Sequence, residues 1–310
     1  MGDKLKSVLA GMIIVMLLPY VLTVLISGSS YPKEATGSED DLMIDVKIHN
    51  TKTKMNLEEY LIGVVAGQIP LDYEEETLKA QAIIARTNLL YQKEQDDAVW
   101  FQEAYASMEG MRESLSDETF KEYYEKLKRA IGETKGQVVT YEGDLVELPY
   151  HSISAGGTRN GWDAFAKEGY DYLESVECLK DVEALEYLGV RSYSLQEFID
   201  LCKEIDTYGN FEEGTLKEQI QILSEDEQHY VIKIKVGDET VSGEKFRSIF
   251  SLNSSCFQID KVDQTIKITT KGLGHGVGMS QYGANEMAKE GADAIEILQY
   301  FFKNSEILKK

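Results

Sequence analysis

The sequence predicts an α+β fold of mixed and antiparallel sheets with helices, preceded by one N-terminal transmembrane helix. Three observations carry that expectation. Residues Val8 to Ser27 are almost wholly apolar, and about twenty such residues, rising roughly 1.5 Å each, cross a hydrocarbon core of roughly 30 Å. Leu42, Ile44, Val46 and Ile48 alternate with mostly polar neighbours, as do the residues of His229 to Val236, which is the period of half-buried strands. From Tyr73 to Gln92 apolar residues recur instead at spacings of three and four, the stripe of an amphipathic helix.

Local signals set the order of elements. Lys4 and Lys6 precede the apolar run, and the charges beyond it are soon dominated by Glu34, Glu39, Asp40 and Asp41. The basic flank is therefore expected to stay cytoplasmic and the remaining chain to face outward. The run is long, and Ser27-Gly28-Ser29-Ser30 is a weak cleavage site, which favours an uncleaved anchor over a removed signal peptide. Pro19 inside it is tolerable in a membrane helix. The expected layout is a cytoplasmic stub at 1–7, an anchor at 8–27, a linker at 28–41 and one extracytoplasmic domain at 42–310.

Within that domain a strand starts near Leu42, with Asn50 to Lys54 as its turn. Leu57 to Val65 reads as a short helix that Gly67 and Pro70 break. Asp72 and Glu75 have the capping-box spacing and open the helix over Tyr73 to Gln92, whose core face is Leu78, Ala82, Ala85 and Leu89. Lys79 and Arg86, seven residues apart, fall on nearly one stripe of it. A helical insertion is expected at about 96–130, marked by Trp100, Phe101, Tyr105, Tyr123, Tyr124 and Leu127; at helical spacing these aromatics read as core rather than as sugar-stacking groups. Gln137 to Tyr141 and Leu145 to Ser152 read as strands joined at Glu142-Gly143-Asp144. Ser194 with Glu197 caps a helix to about Tyr208. His229 to Val236 with Val241 supplies a second sheet, Glu244 to Phe250 a helix and Phe257 to Thr269 further strands. Helices around Asn285 to Glu290 and Ala292 to Phe302 close the chain.

At 310 residues and 43% hydrophobic, the chain can bury a sizeable core. Its formal net charge of −22 argues against nucleic acid as a partner, because a phosphate backbone calls for clustered Lys and Arg. Cys178, Cys202 and Cys256 are too few and too far apart for a disulfide scaffold, and none forms a CxxC pair for zinc. Buried free thiols are the expectation, with a single bridge left open.

Three segments carry the candidate chemistry. The first joins Gly63-Val64-Val65-Ala66-Gly67-Gln68-Ile69-Pro70 to Leu78-Lys79-Ala80-Gln81-Ala82-Ile83-Ile84-Ala85-Arg86-Thr87. The second is Tyr150-His151-Ser152-Ile153-Ser154-Ala155-Gly156-Gly157-Thr158, and the third Gly272-Leu273-Gly274-His275-Gly276-Val277-Gly278-Met279-Ser280-Gln281-Tyr282-Gly283-Ala284. Glycines alternate in the third, so an extended chain would have one face without side chains, open to a sugar chain or to another stretch of backbone. It lacks the full G-x-G-x-x-G form of a dinucleotide site. Taken alone, His151 and His275 read as structural hydrogen-bonders beside glycine-rich turns, and Lys79 and Arg86 as basic side chains on a solvated face.

In this order the segments resemble the SpoIID/LytB family of cell-wall proteins, over roughly Leu42 to Phe302. The resemblance implies a lytic transglycosylase that cuts peptidoglycan glycan strands with one glutamate. That residue protonates the glycosidic oxygen, then accepts the muramic 6-hydroxyl proton as a 1,6-anhydro ring closes. Gln68 stands at the place of this glutamate, and a carboxamide has no titratable proton. Asp72 and Glu74 to Glu76 are near in sequence, but Pro70 interrupts any continuous helix from Gln68. The resemblance therefore implies a pseudoenzyme that binds glycan strands with impaired cleavage; an active enzyme using another acid, or a structural component of a sporulation complex, stays open. It places Gln68, Lys79, Arg86 and His151 in the catalytic set, and Ser154, Gly274, His275, Gly276, Ser280 and Gln281 in the substrate-binding set. Some members hold zinc through cysteine and histidine near the second segment, but no cysteine lies near His151 here, so neither a metal nor another cofactor is expected. Implied partners are glycan strands, the membrane through the N-terminal helix, and other wall hydrolases or sporulation proteins. The implied location is the cell membrane, single-pass, with the N-terminus cytoplasmic.

Overall fold

A tight hairpin opens the described part of the protein. The computed structural model describes residues 42–48, 50–262 and 264–310; the expected anchor at 8–27 and linker at 28–41 lie outside them. No helix among the described residues is long and apolar enough to cross a membrane. Strands β1 (Met43–Ile48) and β2 (Thr51–Asn56) pair antiparallel from Ile48↔Thr51 outward. Asn50 to Lys54 is therefore not a turn. The chain reverses between Ile48 and Thr51, with Asn50 at φ 66°, a region asparagine tolerates, and β1 buries Ile44 and Val46. Helix α1 (Leu57–Gln68) is capped by Asn56, whose Oδ1 accepts the N–H groups of Glu58 and Glu59. It runs through Gly67, which does not break it. A Cβ there would lie 2.8 Å from the Ala104 carbonyl oxygen, so the glycine admits a crossing chain, and the helix stops at Ile69, ahead of Pro70.

Helix α2 (Glu75–Gln95) starts at Glu75 rather than Tyr73, and the Asp72/Glu75 capping box does not form. Glu74 occupies the N-cap without a side-chain bond, and its N–H donates to Asn285 Oδ1 at 2.8 Å. As expected, Leu78, Ala82, Ala85 and Leu89 are core, packed with Tyr60, Leu61 and Val64. The opposite face, Ala80, Ile83 and Ile84, enters a second cluster with Val277, Met279, Leu298 and Phe301. A helix apolar on two sides is a central helix, and α2 is shared by both clusters.

The expected helical insertion divides in two. Its first part is extended: Phe101 bridges to Val46, donating its N–H to the Asp45 carbonyl and accepting the Lys47 N–H, and Tyr105 stacks on Tyr60 with ring centroids 5.4 Å apart. Only then come α3 (Met108–Ser114) and α4 (Asp117–Glu133), each capped by a serine. Phe101 and Leu127 are buried, as the core reading of these residues requires.

Strands β3 (Gln137–Tyr141) and β4 (Asp144–Leu145) form the expected hairpin, and β13 (Glu306–Lys309), which no sequence pattern announced, pairs on the other side of β3. In place of one strand to Ser152 there is only β5 (Tyr150–His151), followed by α5 (Gly161–Phe165) and a 3₁₀ turn at Leu179–Glu183. Next come β6 (Leu188–Ser194), α6 (Leu195–Ile205), α7 (Leu216–Gln219), β7 (Ile220–Glu225), β8 (Val231–Val236), β9 (Glu239–Ser242), α8 (Gly243–Ile249), β10 (Phe257–Val262) and β11 (Thr265–Lys271). Sheets β7-β8-β9 and β10-β11-β6, both antiparallel, enclose a third cluster around Phe198, Ile234, Phe246 and Ile268. The Ser194/Glu197 capping box is present at the start of α6. β12 (Met279–Ser280) pairs parallel with β5, and α9 (Gln281–Lys289) and α10 (Ala294–Phe301) complete the helices. The architecture is α+β with mostly antiparallel pairing, and Cys178, Cys202 and Cys256 are buried free thiols.

Candidate functional site

Gln68 is the last residue of α1 and is half-buried. From within α2, Gln81 donates its Nε2 to Gln68 Oε1 at 2.9 Å. Gln281, the first residue of α9, donates its Nε2 to the Gln68 backbone carbonyl at 2.8 Å and to Gln81 Oε1 at 3.2 Å. Gln81 and Gln281 are 0% and 3% exposed, which shelters these bonds from competing water. Among the described residues no carboxylate hydrogen-bonds Gln68, and Asp72 is exposed. The centre of the site is thus a relay of neutral amides, able to orient and donate hydrogen bonds but not to exchange protons at neutral pH.

The third segment is coiled, not an extended strand with a bare face. Gly272, Gly274, Gly276 and Gly278 have φ of 77°, 120°, 78° and 69°, where other side chains are strained. The missing side chains leave room for the protein itself. A Cβ on Gly274 would lie 2.6 Å from His151 Cβ, one on Gly276 2.3 Å from the Tyr230 ring, and one on Gly278 1.9 Å from the Pro149 carbonyl oxygen. This close packing lets β12 pair with β5, setting Ser280 opposite His151 and Gln281 one residue beyond. That pairing delivers the third segment to Gln68.

His151 is buried, with Nδ1 3.0 Å from the Val277 carbonyl. A carbonyl only accepts, so Nδ1 carries the proton and Nε2 is a bare lone pair, without a partner. His275, its ring centroid 5.7 Å away, has the opposite tautomer, since its Nδ1 accepts the Val277 N–H at 3.1 Å. Burial, helped by His275, pushes His151 down to about 3, and burial also lowers His275. Both rings are neutral at pH 7, and neither offers an imidazolium proton.

Ser154 and Ser280 face inward. The Ser154 N–H and the Ser280 hydroxyl both donate to Asp181 Oδ2 at 2.6 Å, and both serines are wholly buried. Burial raises the Asp181 pKa against the pull of these bonds, and its Oδ1 has no partner. Arg86 is also 0% exposed, gripping Glu58 at 2.9 and 2.6 Å and the Gln137 carbonyl at 3.2 Å. Lys79 bridges Glu76 at 2.8 Å and Glu133 at 2.6 Å. Burial alone would lower the Lys79 pKa, but hydrogen bonds to Glu133 and Glu76 raise it on balance.

Of the residues expected at the site, Gln68 and Gln281 touch directly; behind Gln281, Ser280 pairs with His151 through the backbone, and His151 packs on Gly274 with its ring beside that of His275. Gly276 packs on Tyr230, while Ser154, Lys79 and Arg86 serve internal contacts. Sequence reasoning assigned no role to Gln81, Asp181 or Asn285. A signal existed for Gln81, a polar residue on the inward side of an otherwise apolar helix, where an amide needs a partner; none existed for Asp181, in a single 3₁₀ turn too short to show a periodic pattern. No cluster of three or more His, Cys, Asp or Glu suited to a metal occurs among the described residues.

The stage II sporulation protein (SpoIID) family model matches residues 47–141, from β1 through β3. Stage II sporulation protein D of Bacillus amyloliquefaciens is 31% identical over 299 residues, spanning 89% of this chain and 83% of that protein. Its counterpart of the same name in Bacillus subtilis (strain 168) is 34% identical over 271 residues, 81% of this chain and 74% of that protein. The amidase enhancer of Bacillus subtilis (strain 168) is 22% identical over 295 residues, 78% of this chain and 39% of that protein. With relatives this similar across most of its length, the chain belongs to the SpoIID family.

Proposed function

We propose that this protein is a cell-wall component anchored at the membrane through residues 8–27, with its domain outside, and that it binds peptidoglycan glycan strands during sporulation or wall remodelling. Its glycan-cleaving activity is impaired because Gln68 stands where a lytic transglycosylase needs a carboxylic acid. The observation that carries this reading is the Gln68–Gln81–Gln281 relay, in which every group is neutral and, among the described residues, no carboxylate hydrogen-bonds Gln68. The names of the relatives, stage II sporulation protein D and amidase enhancer, support a place among wall proteins that act with partners. A positioned acid/base supplies roughly 10² to 10⁴-fold in rate, and Gln68 forgoes it.

The test is to incubate the full-length chain with purified glycan strands, measuring co-sedimentation and the release of 1,6-anhydro ends. Binding without release is expected, and Gln68→Glu is expected to release them at least about 10²-fold faster. Anhydro ends from the unaltered protein would overturn impairment, and failure to co-sediment would overturn binding.

A further inference from the structure

Gln81 and Gln281 determine which end of the Gln68 amide faces outward. Gln281 Nε2 lies 2.8 Å from the Gln68 carbonyl, which can only accept, so the nitrogen end of Gln281 must face it. The second hydrogen of that nitrogen is directed at the Gln81 side chain 3.2 Å away, which must turn its oxygen toward it. Gln81 is then left with Nε2 toward Gln68, 2.9 Å from the side-chain oxygen. Each amide is oriented by the one before, and the chain of bonds ends on Gln68 Nε2. That nitrogen has no hydrogen-bond partner among the described residues and is not enclosed.

We infer that Gln68 is a specificity-determining hydrogen-bond donor: its outward NH₂ recognises an oxygen acceptor on the bound glycan, an acetamido carbonyl, with Gln81 and Gln281 as positioning residues. This rests on the glycan-binding reading and names the chemistry that the site reads. A carboxylate at position 68 would still accept the Gln81 N–H on one oxygen, but would present its second oxygen where the NH₂ now stands. The relay thus suits either residue and reverses the polarity offered to the ligand. A donor facing an acceptor, rather than another donor, is worth roughly 5- to 150-fold in affinity, which is about 1 to 3 kcal/mol.

Two measurements on the full-length chain test this. The first follows hydrogen exchange of glutamine side-chain amides by NMR, with Gln68 assigned through Gln68→Met. The Gln68 NH₂ is expected to exchange at near-solvent rates while Gln81 and Gln281 are protected, and a protected Gln68 NH₂ would overturn the assignment. In Gln81→Glu the new carboxylate must accept from Gln68, so the Gln68 NH₂ is expected to become at least tenfold slower. The second compares Kd for N-acetylated chitooligosaccharide with Kd for its N-deacetylated counterpart, in high salt and at a pH above the amine pKa, so that the protein's net charge of −22 does not favour the free amine. Wild type is expected to prefer the acetylated ligand by tenfold or more, and Gln81→Glu to lose that preference while still binding. If Gln81→Glu does not fold, Gln81→Met, which frees the Gln68 amide to rotate, is expected to reduce the preference at least threefold. An unchanged ratio in a folded variant sinks the proposal with glycan binding intact. If wild type binds neither ligand, the glycan-binding reading falls and takes the specificity role with it, whatever the exchange pattern.

Discussion

Replacing Arg86 by methionine would leave Glu58 without its partner at a largely buried position. The arginine is wholly buried and the Glu58 side chain is 20% exposed, and breaking a buried pair from one side costs about 3 to 5 kcal/mol. We expect Arg86→Met to lose about 3 kcal/mol in urea denaturation, and Glu58→Gln added to it to recover part of that loss. A drop in glycan affinity with stability intact would instead restore Arg86 to the substrate site. His151 gives a pH test. Its pKa falls from 6.5 in the unfolded chain to about 3 in the fold through burial, with His275 and Arg247 adding to the effect. Below pH 6.5 the unfolded chain takes up a proton that the fold refuses. Stability from this group is therefore complete above 6.5 and is lost as pH falls toward 3, at about 1.4 kcal/mol per pH unit. His151→Leu should flatten the slope of stability between pH 6.5 and 4, read as urea midpoints against wild type. The local reading of His151 as a structural hydrogen-bonder agrees with its bond to the Val277 carbonyl, whereas the role of Arg86 was not legible locally. Lys79 and Arg86 look like any basic pair on a solvated stripe, and the partner of Arg86 lies 28 positions away in sequence.

The elements were legible where a stripe of side chains repeats, and opaque where a tertiary contact sets a boundary. The core face of α2 was readable because Leu78, Ala82, Ala85 and Leu89 keep one face of a helix inward. Its start was not, because Asn285 in α9 satisfies the Glu74 N–H in place of a local cap. In the third segment, alternation suggested a strand, yet every second residue there is a glycine, whose freedom to take positive φ means that the pattern does not require an extended backbone. Their positive φ values answer to neighbours far away in sequence. Gly278→Ala tests how firmly that coil holds β12 on β5. The left-handed backbone alone costs about 1 to 2 kcal/mol for a side chain, and the new Cβ would fall 1.9 Å from the Pro149 carbonyl oxygen. We expect a cooperative loss of stability exceeding about 2 kcal/mol and loss of glycan co-sedimentation. A variant with wild-type urea midpoint would mean that the coil is not what positions Gln281.

At the scale of the whole molecule, charge decides how a ligand can be held. The chain carries 54 acidic against 32 basic residues, and the two cations expected in the catalytic set with Gln68 are already matched: Lys79 by Glu76 and Glu133, Arg86 by Glu58. The group left to meet a ligand at Gln68 is a neutral NH₂. Glycan strands stripped of their peptides bear lactyl carboxylates, so the long-range field of a protein at −22 opposes their approach while short neutral hydrogen bonds hold them. Salt shortens that field from roughly 14 Å at 0.05 M to roughly 4 Å at 0.5 M and leaves the hydrogen bonds nearly untouched. Affinity for such strands should therefore rise by about two- to threefold across that range, or stay level, as measured by co-sedimentation or calorimetry. Binding led by free lysines or arginines would weaken several-fold over the same range. That outcome would move the site away from the amide relay, because no neutral donor at Gln68 could produce it.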